Sequence, residues 1–314
     1  MLAIAESLLP VFALIGLGLV LRRQGIVPEN QWDGLNKVCY WLFFPMMLAK
    51  TMVGADLDNV PLGGMAGAML TASIIMGILA FALKPVFIRG MGLDGAAFTS
   101  VFQTSVRWNG FIALAIVLKL FDEQGIALVA VAMAVLVPII NIACIFVLAA
   151  YSSNEPPSAG RIALNIIKNP ILLGCVGGLL LNRLHIPVWD PVLTLMDLLG
   201  RSALGAGLLC IGAGLKVRHL VNPSGGIWVS SLIKLGLTPL VVGGAAVFFG
   251  LRGDALEVAV LCAAVPTAMN GYVLARQMGG DAELYAASTT LQTLISLISI
   301  PLFLVLAAKL VAFL

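Results

Sequence analysis

Apolar residues run through this chain in long stretches broken by short clusters of charge, glycine and proline. A stretch of about 20 such residues covers roughly 30 Å of hydrocarbon as a helix, and a helix satisfies its own backbone where water is absent. Bounded by those breaks, the pattern predicts ten spans, near 2–22, 34–53, 63–84, 96–121, 126–150, 166–183, 191–215, 226–250, 254–277 and 285–312. The expected fold class is an all-α polytopic membrane protein. Residues 1–21 have no basic cluster ahead of their apolar run and carry Glu6 and Pro10 within it, so they read as a first span rather than a cleaved leader.

Composition strengthens this reading. With 61% hydrophobic and 11% charged residues, the chain has too little polar surface to close a water-soluble globule, and the spans leave no room for a soluble domain. The net charge of +3 is scattered rather than gathered in a block, which argues against nucleic acid as a partner and against a polybasic lipid-binding tail. Cys39, Cys144, Cys175, Cys210 and Cys262 all lie in apolar runs without a CxxC pair and read as packing residues. With the first loop inside, ten Lys and Arg fall on the cytoplasmic side and five on the other, which predicts both termini outside.

The longest polar connection, Tyr151 to Arg161, falls at the midpoint of the chain. It divides an expected first repeat, 1–150, from a second, 166–314, with a cytoplasmic linker at 151–165. Pro10, Gly18, Leu19, Leu21, Arg23 and Ile26 recur 160 residues later as Pro170, Gly178, Leu179, Leu181, Arg183 and Ile186. Asn109-Gly110-Phe111-Ile112 is echoed by Asn270-Gly271-Tyr272-Val273 at an offset of 161. Partners lie five spans apart, an odd number, so the halves are expected to have inverted topology.

Spans four and nine carry the chemistry. Pro266 lacks the N–H that would bond to Cys262, so span nine is expected to break just before Thr267, with Gly271 relaxing the backbone further. Span four offers Thr104, Ser105, Arg107, Asn109 and Gly110 at the equivalent place but no proline. Broken helices in a membrane expose N–H groups and a partial positive charge, which suit a carboxylate. Asn109 and Asn270 are the candidates to hold such an anion, with Gly110, Pro266 and Gly271 shaping the backbone; the alternative is that both amides only bond neighbouring helices. Arg107 supplies the anion's counter-charge or pairs with a carboxylate such as Asp197 or Glu257.

Other ionisable residues are weaker candidates. Asp197 and Arg201 stand four apart and are expected to pair with each other, though Asp197 and Glu6 are possible coupling groups. Lys234 is expected to snorkel to the cytoplasmic face. Gln292 and the run Ser288-Thr289-Thr290 are placed to add polar contacts.

Catalysis finds no support, and no metal or cofactor is expected. His185 and His219 fall in loops, which leaves no buried Ser–His pair or histidine metal cluster. Met278-Gly279-Gly280-Asp281 lacks the first glycine of an intramembrane aspartyl protease motif, and no phosphate-binding loop is present.

The chain resembles the auxin efflux carrier family over essentially its whole length, and is similar to its bacterial branch. The resemblance rests on Lys168-Asn169-Pro170, on Leu209 to Leu215 (LCIGAGL), on Val265 to Gly271 (VPTAMNG) with Leu274-Ala275, and on Arg107, Asn109 and Gly110. It implies two inverted five-helix repeats with spans four and nine crossing at broken points marked by Asn109, Asn270 and Pro266. It also implies a scaffold of spans one, two, six and seven that forms a homodimer in the cell (inner) membrane, and an elevator-like motion of the remaining spans. Val106 or Arg107, and Ala115, stand where plant members carry proline, so a small carboxylic acid such as malonate or malate is expected rather than auxin. A sodium-coupled relative of the bile-acid symporters would need acidic residues near the crossing, and none is there. A membrane ligand sensor that moves nothing would need an output domain, which the chain lacks.

Overall fold

The computed structural model describes residues 2–54, 61–121, 123–152, 160, 164, 167–215 and 224–314, with the side chains of 2–7, 29 and 123 also left aside. The side chain of Glu6, most of the linker at 151–165, and Lys216, Arg218 and His219 lie outside the described residues. What is described is helical, with no strand among the described residues. The helices are α1 (Leu2–Arg23), α2 (Glu29–Val38), α3 (Phe44–Gly54), α4 (Leu62–Ala82), α5 (Gly95–Val106), α6 (Gly110–Leu120), α7 (Glu123–Tyr151) and α8 (Pro170–Arg183). They continue with α9 (Asp190–Gly214), α10 (Gly225–Leu232), α11 (Thr238–Phe248), α12 (Gly253–Ala264), α13 (Asn270–Met278) and α14 (Ala282–Phe313).

Among the described residues, six helical segments are long and apolar enough to cross a membrane, which makes this a polytopic membrane protein. Three of the other predicted spans miss that measure for visible reasons. The stretch holding α2 opens on the polar run Glu29-Asn30-Gln31-Trp32-Asp33, span nine is interrupted, and α8 has 14 residues.

Three π-helical turns, Cys39–Phe43, Val86–Gly90 and Ile233–Leu237, interrupt the α-helical hydrogen-bond register. Two of them run into a proline, Pro45 and Pro239, two residues on. A proline cannot donate to the carbonyl four residues back, and a wider turn shifts the register to relieve that. At the second, the Thr238 hydroxyl donates to the Ile233 carbonyl at 2.9 Å.

The chain divides into two compact units that each draw on both halves of the sequence. Unit 1 comprises Met1–Leu62, Phe111–Ala134 and Ala159–Gly214; unit 2 comprises Gly63–Gly110, Val135–Ser158 and Leu215–Leu314. In unit 1, glycines let helices meet backbone to backbone. A Cβ on Gly18 of α1 would lie 2.1 Å from the Leu209 carbonyl oxygen of α9, and one on Gly178 of α8 would lie 2.5 Å from that of Ala49 in α3. Small residues at such crossings replace the hydrophobic drive that lipid does not provide. The same unit holds Asp197, which accepts from Lys50 Nζ at 2.5 Å and from Arg201 Nε at 2.6 Å. The expected i,i+4 pair is present, and Lys50 joins it.

Local geometry repeats along the chain. Gly25 and His185, 160 residues apart, both take a left-handed φ, of 70° and 53°. Around them Ile26 N–H donates to the Leu21 carbonyl and Ile186 N–H to that of Leu181, so α1 and α8 end in the same six-residue cap. Gly92 and Gly250 are likewise left-handed, in the shared pattern Gly-Leu-Xaa-Gly before α5 and α12.

The close crossings make a direct test. Gly212 faces the Ile15 carbonyl oxygen, 1.8 Å from where a Cβ would sit, whereas Gly16 has nothing within 4 Å. Gly212→Val is expected to destabilise the protein by roughly 1–3 kcal/mol through overpacking, and Gly16→Ala to leave stability unchanged or raised. Thermal unfolding of both variants in detergent checks it.

Candidate functional site

Within unit 2 two helices stop where a regular span would continue. α5 ends at Val106 and α12 at Ala264, each after 12 residues, and the next residue is extended in both cases. Arg107 has φ −70° and ψ 155°; Val265 has φ −69° and ψ 150°. At the second break the cause is in the sequence. A proline pushes the residue before it out of the helical region, so the break starts at Val265 and not, as the missing N–H alone suggests, next to Thr267. The first break occurs without a proline, and tertiary hydrogen bonds account for it.

Each break frees peptide groups that must find partners away from water. The Thr267 hydroxyl donates to the carbonyl oxygens of Thr104 at 2.9 Å and Arg107 at 3.2 Å. Gln292 of α14 serves both breaks: its Nε2 donates to the Thr104 carbonyl at 2.9 Å, and its Oε1 accepts from the Thr267 N–H at 3.0 Å. Tyr285 donates its hydroxyl to the Ala268 carbonyl at 2.6 Å. Gly271 matters here as space rather than as a flexible link. It lies in α13, and a Cβ on it would stand 2.3 Å from the Tyr285 hydroxyl oxygen.

The predicted site residues separate on inspection. Asn109 is buried inside the first break, and Gly110 opens α6. The second break is two residues longer, 265–269 against 107–109, so Asn270 begins α13 and is exposed. Pro266 is buried in that break. Arg107 is only 5% exposed; its Nε donates to Gln103 Oε1 at 3.2 Å and its Nη1 to Asn141 Oδ1 at 3.0 Å. These acceptors are neutral amides, not the carboxylates of Asp197 or Glu257. Asn141, one amide inside the apolar run of α7, carried no sequence signal beyond its own polarity. Of the polar residues placed beside the site, Gln292 bridges the breaks, while Thr289 and Thr290 bond back to the Tyr285 and Ala286 carbonyls of their own helix.

Lys234 departs from expectation. It does not snorkel to a membrane face; it is 1% exposed, and its Nζ donates to the Ala263 carbonyl at 2.8 Å. In an unbroken helix that carbonyl would accept from Thr267, whose N–H has gone to Gln292. The break therefore creates the acceptor that holds Lys234 inside, at the negative end of the α12 dipole. Arg107 and Lys234 are the buried charged residues among those described, and no carboxylate is buried with them.

The bridging role of Gln292 is testable. Gln292→Leu leaves the buried Thr267 N–H unpaired and is expected to cost about 1–3 kcal/mol in stability, read as a lowered unfolding midpoint in detergent.

Comparison with known proteins places this architecture. A family model described as membrane transport protein matches residues 3–304. An uncharacterized transporter of Methanothermobacter thermautotrophicus is 25% identical over 301 residues, covering 95% of this chain and 96% of that one. A putative malonate transporter of Rhizobium meliloti is 25% identical over 315 residues, covering 96% and 94%. Auxin efflux carrier component 6 of Arabidopsis thaliana is 27% identical over 163 residues, covering 48% of this chain and 29% of that protein. With a family match across nearly its whole length, the chain belongs to the membrane transport protein family, that of the auxin efflux carriers, and so to a family of transporters rather than enzymes.

Proposed function

We propose that this protein moves small carboxylic acid anions across the cell membrane by alternating access. The observation that carries the reading is the pair of buried cations, Arg107 and Lys234, beside two helix breaks with no buried carboxylate among the described residues. Burying a charge in a membrane protein is costly, and a site left with positive charge alone suits an anionic cargo. Arg107, Asn109 and Gly110 from the first break and Pro266, Asn270 and Gly271 from the second are the proposed substrate residues. Malonate is the first probe because the Rhizobium relative is named a putative malonate transporter.

Both breaks and both buried cations belong to unit 2, which supports an elevator-like cycle with unit 2 as the moving body and unit 1 as the scaffold. The repeated caps and break geometries at offsets of 158 to 160 residues support an inverted repeat. Lipid and a second copy of the chain are the proposed partners of the exposed apolar faces of α8 and α9, which carry Leu173, Leu180, Leu195 and Leu198. The proposed orientation has both termini outside the cytoplasm, as the distribution of Lys and Arg suggests. Asp197, already bonded to two cations, serves the packing of α9 against α3 in this reading.

Uptake of radiolabelled malonate into proteoliposomes tests the function. Saturable uptake is expected without sodium, with Asn109→Ala and Arg107→Gln each slowing it at least tenfold, roughly the loss of one charge-assisted hydrogen bond. Absence of uptake for every mono- and dicarboxylate tried, or an absolute need for sodium, contradicts the proposal.

A further inference from the structure

Lys234 does more than a capping residue needs to do. One hydrogen bond to the Ala263 carbonyl is within the capacity of a serine or an asparagine, and neither would bring a full charge out of water. An ammonium has three N–H donors, and Ala263 takes one. Lys234 also lines a cavity inside unit 2, together with Ser73, Val106, Trp108, Thr238 and Ala263.

The polar part of that lining suits an anion. The indole nitrogen of Trp108 donates and does not accept. The hydroxyls of Ser73 and Thr238 donate to the Met69 and Ile233 carbonyls at 2.6 Å and 2.9 Å, and each can redirect its proton by turning about its C–O bond. No Asp or Glu belongs to the lining. The volume is about 30 Å³. That holds roughly two waters. That room suits the two oxygens of one carboxylate group.

None of the six residues singled out from the sequence lines this cavity, yet Val106 and Trp108, the neighbours of Arg107, do. Lys234 thus stands at the cavity, while Arg107, between two lining residues in sequence, turns to Gln103 and Asn141.

The geometry points to the Lys234 cavity as the subsite for one carboxylate of the transported acid, with the Lys234 ammonium as its direct counter-charge. This rests on the anion-carrier reading above. The Ala263 carbonyl takes one of the ammonium's donors, and an entering carboxylate takes the others.

Malonate binding to purified protein in nanodiscs, read by titration calorimetry, tests the inference on wild type, Lys234→Met and Ser73→Leu. Lys234→Met keeps the length of the side chain and removes its charge and donors; Ser73→Leu fills the cavity and leaves the lysine in place. Both variants are expected to weaken malonate binding by about 10- to 100-fold, the size of a lost charge-assisted hydrogen bond. A lysine that only caps α12 would lower the unfolding midpoint when replaced and leave the affinity of the folded protein unchanged, which overturns the inference. If Lys234→Met does not fold, Ser73→Leu decides: unchanged affinity there also overturns it. Wild type that binds no carboxylate removes the anion-carrier reading itself, whereas wild-type binding that survives both substitutions removes only the subsite.

Discussion

A helix that stops inside a membrane leaves peptide groups with no water to take them, and the polar side chains around the two breaks of unit 2 answer that constraint. The carbonyls of Thr104 and Arg107 receive the Thr267 hydroxyl, and Thr104 also receives the Gln292 amide. The N–H of Thr267 goes to the other end of the same glutamine, and the carbonyl of Ala263 goes to Lys234. One amide side chain thereby ties the two breaks together. The polarity of α5 and α14, unusual for membrane helices, fits the same constraint: most of their buried hydroxyls bond to carbonyls of their own helix, and Ser100 reaches across to Asp281.

Satisfying the backbone in this way brings positive charge into the protein. Lys234 is held where the negative end of α12 offers it a carbonyl, and Arg107 is held by two neutral amides at the start of the other break. Neutral partners fix the position of a cation without cancelling its charge. Unit 2 thus holds two basic side chains away from water, in a chain whose relatives include one named a putative malonate transporter. Unit 1 solves a different problem. Its helices approach until glycines such as Gly18, Gly178 and Gly212 touch the backbone of a neighbour, an arrangement that favours rigidity.

Much of this was legible in the sequence. Six of the predicted spans coincide with helices long and apolar enough to cross a membrane, because hydropathy is the dominant constraint in lipid. Pro266 announced the second break, and the Asn-Gly echo located the first, although the exact onset at Val265 needed the rule for residues preceding proline. The echo Gly92-Leu93-Xaa-Gly95 and Gly250-Leu251-Xaa-Gly253 was also there to be read. The place of Lys234 is not legible in the sequence for a physical reason: its partner is a backbone carbonyl 29 residues away that becomes available only where α12 breaks. Asn109 and Asn270 look equivalent in sequence, but the unequal break lengths bury one and expose the other.

In the proposed site a carboxylate sits against the buried side chains of Lys234 and Arg107. Solid-state NMR on protein with ¹⁵N-labelled lysine and arginine side chains, loaded with malonate ¹³C-labelled at its carboxylates, measures that proximity directly. The expected result is dephasing of the carboxylate signal by a side-chain nitrogen, lost when malonate is displaced by unlabelled acid. Bound malonate whose carboxylates show no dephasing from either type of side chain would contradict it.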